Sequence, residues 1–354
     1  MPPVLAGISA FRFYRVPPQV LGLLPPISQA RDVHREGLYS HPLVCDVLGL
    51  PLSCLARSRA ARSSSRGIDW QLVQGDLPFG SIVESDLGLR VANPGLTLLT
   101  MGRKLTVTKL ALATYEMTGY FSVFEPPAHI ERMLADCRAD IAARVPCPWR
   151  RVIDSVGRPT NLWQRKPLVE IGELLEFSKA TSGIRGAKKL ERALSMVNGV
   201  VASPLEAQVS ALLTFPRAVG GCGLVGFENN RRIELSSSSR AMAAQGVCYV
   251  DLFHEGVEGG GRPLSIECQG MVAHASNESV LSDADRLAAL QRMGHDVLFL
   301  TSRQLRDANQ REEMLRFIAD RVGQRCPVPD ARTIRAQNAL LAELFSNWTT
   351  LFDG

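Results

Sequence analysis

The chain has 354 residues, of which 45% are hydrophobic and 21% are charged, a composition typical of a folded globular protein. Its length exceeds that of one average domain, so we expect two domains or one domain with large additions. The formal net charge of +5 at pH 7 permits contact with a polyanion such as DNA but does not require it.

The sequence excludes some classes of protein. None of the eight cysteines forms a C-x-x-C pair, so we predict no zinc site and expect free thiols in a reducing compartment. Residues 1–28 are apolar but broken repeatedly by proline, without the continuous apolar core of an export signal. No run approaches the length of a membrane span, and we expect a cytoplasmic protein without a membrane partner.

The first third of the chain predicts a mixed α/β module. Residues 77–83 and 87–92 read as short strands around a Glu-Ser-Asp turn, which indicates a hairpin. Asn93-Pro94-Gly95 ends the second strand, and a helix follows from Leu96. A further helix is predicted from Leu105 to about Met117.

Residues 126–200 predict a helical connector whose last part carries a basic stripe. Four basic residues recur there at i, i+3, i+4 and i+7, namely Arg185, Lys188, Lys189 and Arg192. Apolar residues occupy the opposite face of the predicted helix. Such a stripe can follow a nucleic-acid backbone, or it can be an ordinary solvated face. Both interpretations stay open on the sequence alone.

The stretch from residue 203 to 269 places acidic residues on predicted regular elements. Ser203-Pro204-Leu205-Glu206 is typical of a helix start. Two β-rich runs, one containing Asp251 and the other Glu267, then flank a glycine-dense turn and predict a hairpin. An acid within an apolar strand is costly to bury without a partner. Two of them on paired strands suggest that the partner is a cation.

The elements that follow predict a compact α/β unit. A helix is expected from Ser282 to about Met293, with Gly294 as its stop. Residues 295–300 read as a buried strand, and an amphipathic helix is expected from Thr301. The predicted order is helix, strands, acidic hairpin, helix, strand, helix.

Residues 203 to about 305 resemble the PD-(D/E)XK restriction-endonuclease-like superfamily, closest to its very-short-patch-repair-endonuclease-like branch. In that branch an acid on one strand precedes Glu-x-Asp on the next, then a His, and then Asp and Arg on the following helix. The matching positions are Asp251, Glu267 with Gln269, His274, Glu278, Asp283 with Arg286, and Glu206 for the acid on the first helix.

The resemblance implies a mixed sheet flanked by helices and a nuclease that uses Mg²⁺ or Mn²⁺. Mg²⁺ prefers oxygen ligands and commonly takes one or two carboxylates, which Asp251 and Glu267 would supply. His274 or Arg286 would contact phosphate. Gln269 departs from the branch, where a third Asp or a Lys is usual. It is still able to orient a water, but it leaves activity as an open question.

A second, weaker resemblance covers residues 40–122. The Leu-Pro-x-Gly-Ser piece, the Val-Ala-Asn-Pro-Gly-Leu piece and Tyr115-Glu116-x-x-Gly119-Tyr120 resemble the region after the winged helix in AbiEi-type abortive-infection antitoxins. This likeness implies a regulatory or nucleic-acid-associated module and names no catalytic residue. We expect Glu116 and Tyr120 to serve packing and turn formation.

The sequence therefore predicts an α/β protein of four parts and leaves three hypotheses for its function. The parts are an N-terminal module (1–125), a helical connector (126–200), a nuclease-like domain (201–325) and a helical tail (326–354). The first hypothesis is a metal-dependent DNA endonuclease in defence or repair, with Asp251, Glu267, Gln269, Glu206 and His274 as catalytic residues. The second is a weakened nuclease fold that binds nucleic acid or a toxin partner. A purely structural use in an oligomer is the third.

Overall fold

The computed structural model describes residues 3–27, 39–58, 66–136, 149–154, 156–240, 246–257, 260–269 and 277–353. In the helix that begins at Asn277, side chains are described from residue 284 onward. These residues form a mixed α/β fold with three sheets, in agreement with the predicted fold class.

The first sheet has five strands in the order β3-β2-β1-β5-β4. Its strands are β1 (Val4–Leu5), β2 (Leu52–Ala56), β3 (Ile68–Leu72), β4 (Ile82–Glu84) and β5 (Arg90–Ala92). The accompanying helices are α1 (Gly7–Arg15), α2 (Pro18–Leu21), a π-helical segment (Leu43–Leu48), α3 (Pro94–Met101) and α4 (Val107–Thr118). Strands β4 and β5 pair antiparallel, with Val83 opposite Val91, which confirms the predicted hairpin.

The second sheet corrects the prediction of a purely helical connector. Helices α5 (Ala128–Asp136), α6 (Ile171–Ala180) and α7 (Ala187–Leu194) are present, but β7 (Arg150–Ile153) and β8 (Pro159–Gln164) form a hairpin on β6 (Phe121–Val123). Its turn closes because the Asp154 carboxylate accepts from the amides of Val156 and Arg158. The buried Trp163 anchors β8 by donating to the carbonyl of Phe124 at 3.0 Å.

The third sheet has four strands in the order β12-β11-β10-β9. They are β9 (Phe227–Glu234), β10 (Val247–His254), β11 (Leu264–Gln269) and β12 (Asp296–Thr301). The first three in sequence run antiparallel, and β12 is parallel to β11. The acidic hairpin and the strand at residues 295–300 are therefore confirmed.

Helices flank the third sheet. They are α8 (Pro204–Thr214), α9 (Ser237–Arg240), α10 (Asn277–Arg292), α11 (Ser302–Arg306), α12 (Ala308–Arg321) and α13 (Ala331–Leu344), with a 3-10 turn at Arg217–Val219. The helix expected from Ser282 begins five residues earlier, so Ser282 lies inside it rather than at its cap. The stop at Gly294 is confirmed by its φ of +86°, a conformation that favours glycine.

Neighbouring residues on β10 belong to different hydrophobic clusters. Leu252 packs into the main core, whereas Phe253 packs with Leu290 of α10 in a second, smaller cluster. Cys248 and Val250 of the same strand also belong to the smaller cluster, so β10 contributes to both.

The main core joins the two ends of the described chain. Phe352 packs edge-to-face on Phe11, with ring centroids 4.9 Å apart, and Trp348 packs on Phe121 at 6.0 Å. Residues after α13 thus complete the packing around α1. The core continues across all of the predicted domain boundaries.

Candidate active site

The first turn of α8 fixes the position of Glu206. The Ser203 hydroxyl caps the helix by accepting from the Glu206 amide at 3.2 Å, and it donates to Glu206 Oε1 at 2.8 Å. The other carboxyl oxygen, Oε2, accepts from the Ala202 amide at 2.6 Å. The side chain is buried and held against the end of its own helix. These hydrogen bonds cap helix α8 and also fix the orientation of the Glu206 carboxyl group.

Asp251 is held by the neighbouring strand. Its Oδ2 accepts from the backbone amide of Cys268 on β11 at 2.7 Å, and its side chain is half-buried. The ladder of β10 and β11 pairs Leu252 with Ile266, and one further step places Asp251 beside Glu267. The sequence predicted that these two acids lie on the paired strands of a hairpin, and the structure adds that they lie beside each other.

The backbone opposite Asp251 on β9 is irregular. The ladder pairs Val250 with Arg231 and Leu252 with Asn229, so Asn230 lies opposite Asp251. Asn230 has a φ of +50°, in the left-handed region that Asn adopts more readily than most residues. Local irregularities in a strand are frequent beside functional sites, because they re-aim nearby side chains.

Glu267 is buried and contacts an arginine of α10. Its Oε2 accepts from Arg286 Nη2 at 2.7 Å, and Arg286 also donates to the Tyr249 carbonyl at 3.3 Å. The predicted phosphate-binding Arg286 thus contacts the predicted metal ligand. A charge-assisted bond of this kind fixes the carboxylate in one orientation.

The three carboxyl groups act on one another electrostatically. Burial and then the charge of Asp251 raise the pKa of Glu206 to about 8, and Glu267 adds to the rise. The thiol of Cys268 between them has its pKa raised well above the ordinary value, first by burial and then by Asp251, Glu206 and Glu267. These shifts indicate negative charge concentrated in a partly desolvated place.

All three acids line one cleft of about 1560 Å³. Its wall is formed by the start of α8, Asp251 in the middle of β10, the end of β11, part of β12 and of α10, hairpin β7–β8, Arg306 and the segment from Phe345 to Trp348. This volume exceeds the few hundred to about 1,000 Å³ of typical small-ligand pockets. Such a cleft suits a segment of a larger substrate.

The other predicted site residues have different placements. Gln269, exposed at the end of β11, lines the cleft as well. His274 lies outside the described residues, and Glu278 and Asp283 belong to α10 at positions without described side chains. The structure therefore brings together Glu206, Asp251, Glu267, Gln269 and Arg286.

The basic stripe is not part of the cleft wall. Lys188 and Arg192 are exposed on α7, and Arg185 is exposed just before the helix begins. Lys189 is half-buried, and its ammonium donates to the Leu105 carbonyl at 2.8 Å. The apolar face that we predicted opposite the stripe is buried, as Ala187 and Leu190 show.

The cleft also contains residues that the sequence did not single out. Arg150 and Arg151 come from the hairpin that was predicted as helix, and Arg306 ends α11. Trp348 lies in the segment predicted only as a helical tail. The signal for the hairpin was a pair of short runs, Arg150–Ile153 and Pro159–Gln164, on either side of a turn that contains Asp154 and Gly157.

The carboxylates fit a hard divalent cation by their chemistry. Within the described ranges, no group of three or more His, Cys, Asp and Glu side chains forms a preassembled metal site. Mg²⁺ nevertheless needs only one or two carboxylates, because water and substrate phosphate fill its other positions. Burial is the main cause of the raised pKa of Glu206, and the charges of Asp251 and Glu267 add to it. A cation among these acids would offset that added repulsion.

Comparisons with protein-family models, with curated proteins and with solved structures found no match to this chain. Among the helices that the structure describes, none combines the length and the apolar character needed to cross a membrane. The function is therefore argued from the cleft itself.

Proposed function

We propose that the protein is a divalent-metal-dependent endonuclease that hydrolyses phosphodiester bonds of DNA. The observation that carries the proposal is the meeting of Glu206, Asp251 and Glu267 in one large cleft. The path of the chain supports it, since a helix, three antiparallel strands, a helix and a parallel strand follow in the order that the restriction-endonuclease-like resemblance implies.

Asp251 and Glu267 would hold the metal ion. A bound Mg²⁺ lowers the pKa of water and offsets the charge that develops on the phosphate. Arg286 keeps the Glu267 carboxylate in place through its 2.7 Å hydrogen bond. Gln269 lies exposed at the end of the same strand, where its amide would orient the attacking water.

Glu206 would act as a proton-holding group in this site. Its raised pKa keeps its carboxyl largely protonated at neutral pH when no cation is near. A positive charge beside it favours the ionised form and lowers that pKa again. Binding of a cation would therefore release a proton from Glu206.

Gln269 favours a second candidate function. A charged residue is usual at this position in the branch that the sequence resembles, and glutamine cannot ionise. A protein with such a weakened site would bind nucleic acid, or a toxin partner, without cutting it. The alternative keeps the cleft as a binding surface and gives it a regulatory role.

Cleavage assays distinguish the two functions. The protein is incubated with supercoiled, linear and single-stranded DNA and with Mg²⁺ or Mn²⁺, beside the Asp251→Asn and Glu267→Gln variants. We expect cleavage by the parent and a loss of about 100-fold or more in either variant. Glu234→Gln is the control, because this exposed acid lies on β9 outside the cleft and should leave cleavage unchanged.

DNA binding without cleavage, unaffected by Asp251→Asn or Glu267→Gln, would instead establish the regulatory alternative. The thermal midpoint of each variant shows whether a loss of cleavage follows from unfolding.

A further inference from the structure

Four arginines line the cleft from elements that carry none of the three carboxyl groups, and two of these arginines are exposed. Arg150 belongs to β7 of the hairpin, and Arg306 ends α11. Both side chains are exposed to solvent. The cleft thus combines carboxyl groups on one set of elements with guanidinium groups on another.

The four arginines of the cleft differ in what they contact. Arg151 donates to both oxygens of Glu131, and Arg286 donates to Glu267. Arg150 instead donates from Nε to the neutral amide oxygen of Gln164, at 2.8 Å.

Arg306 also contacts a neutral group, because its guanidinium lies over the ring of Phe345 at 5.3 Å. Within the described ranges, neither Arg150 nor Arg306 forms an ion pair with a carboxylate. No acid of the described residues therefore contacts either guanidinium to offset its charge.

Both arginine heads are also held in place. Gln164 fixes the Arg150 guanidinium through hydrogen bonds from Nε and Nη2, and Phe345 holds Arg306 through a cation–π contact. Positioning before binding lowers the entropy that a contact with a ligand would otherwise cost. Guanidinium groups match the oxygens of a phosphate in a two-point geometry.

We infer that Arg150 and Arg306 form a phosphate clamp, which holds the backbone of the DNA strand within reach of the carboxylates. The inference rests on the proposed function and names which residues bind its substrate. It also assigns substrate binding to the cleft rather than to the basic stripe on α7. A polyanion is repelled as it approaches the carboxylates of Asp251 and Glu267, and the two arginines offset this repulsion.

The clamp is tested by binding rather than by cleavage. A labelled oligonucleotide, single-stranded or duplex, is titrated with the full chain in EDTA, and fluorescence anisotropy is followed from about 50 to 200 mM salt. We expect Arg150→Gln and Arg306→Gln each to weaken binding about tenfold or more. Each substitution should also make the slope of log K against log salt shallower by about 0.7 to 0.9.

Arg158→Gln is the matched control. Arg158 is an exposed arginine on the same hairpin, but it is paired with Asp154 and does not line the cleft. This variant should bind like the parent. Arg150→Lys and Arg306→Lys keep the charge and should recover part of the affinity without restoring two-point contact.

Each outcome decides the inference. Equal affinity and equal salt slope for the parent and for the double variant with Arg150→Gln and Arg306→Gln would overturn the clamp. A parent that binds no DNA would overturn it as well. Cleavage with Mg²⁺, measured in parallel, reports separately on the proposed function. Arginine-dependent binding without cleavage supports the clamp and rejects hydrolysis. Cleavage that is unchanged in the arginine variants supports hydrolysis and rejects the clamp.

Discussion

Arg286 on α10 and Glu267 on β11 are joined by a 2.7 Å hydrogen bond in which the guanidinium donates to a nearly buried carboxylate. The bond connects a helix of one face of the sheet to the strand that carries the candidate metal ligand. Arginine is well suited to this place, because its planar head stays charged and reaches the Tyr249 carbonyl at the same time.

Removal of Arg286 should weaken the fold and the site together. Arg286→Met leaves the buried Glu267 carboxylate without this donor, which we expect to cost about 1–3 kcal/mol in the free energy of unfolding. Urea denaturation measures the loss. In the double variant with Glu267→Gln, part of the stability should return, since no buried charge remains to be compensated. Strictly additive effects in this cycle would show that the two groups do not interact.

Glu206 should make stability depend on pH near neutrality. Burial and the charges of Asp251 and Glu267 raise its pKa from 4.5 to about 8, so the folded state retains a proton that the unfolded state has released. Its stabilising contribution is complete below the unfolded pKa and disappears as pH rises through the folded pKa. In Glu206→Gln, the free energy of unfolding should therefore fall less between about pH 5 and pH 8 than it does in the parent.

Urea denaturation at several pH values checks this expectation. Glu234→Gln serves as the control, since its exposed carboxyl has a lowered pKa beside Arg232 and titrates below this window. An unchanged pH slope in Glu206→Gln would mean that Glu206 is already ionised in the folded protein.

Cation binding should be coupled to the same proton. Since a cation among the three acids favours ionised Glu206, affinity for Mg²⁺ should increase as pH rises from about 6 to 8, with up to one proton released. Titration calorimetry in two buffers of different ionisation enthalpy counts the proton. Glu206→Gln should remove this release. Proton uptake, or an affinity for Mg²⁺ independent of pH, would contradict the placement of the cation beside Glu206.

Glu116 should prove structural rather than functional. Its carboxylate accepts from Arg15 at 2.6 and 2.8 Å, from the Trp348 indole at 2.7 Å and from the Val123 amide at 3.0 Å. Glu116→Gln leaves the buried Arg15 charge uncompensated and should cost about 3–5 kcal/mol in the free energy of unfolding.

An exposed ion pair provides the comparison for Glu116. Glu312 contacts Arg316 on the surface of α12, and Glu312→Gln should change stability by less than about 0.5 kcal/mol. Chemical denaturation measures the change in the free energy of unfolding for both variants. Similar small losses in the two variants would show that burial gives the Glu116 pair no special importance.

Local signals explain the elements that the sequence predicted. Ser203 before Pro204 marked the start of α8, and its hydroxyl does cap that helix. Period-two alternation placed Asp251 and Glu267 on paired strands, which the ladder of β10 and β11 agrees with. These features depend on residues close together in sequence, and such signals are the most dependable ones.

The walls of the cleft could not be obtained in this way. The hairpin with Arg150 meets the start of α8 only through tertiary packing, and its two short strands have no strong periodic signal in the sequence. Trp348 reaches Glu116 across 232 positions of sequence, a contact that no periodicity encodes. The sequence thus identified the acids and Arg286, whereas the contribution of the arginines on β7 and α11 depends on the whole fold.

The contacts of Trp348 have a consequence for how the protein is made. Trp348 lines the cleft, and its carbonyl accepts from Arg15, 333 residues earlier in the chain. A growing polypeptide cannot build this side of the cleft until Trp348 has left the ribosome. Chains that stop before residue 348 would therefore lack this wall of the cleft and the partner that it gives to Arg15.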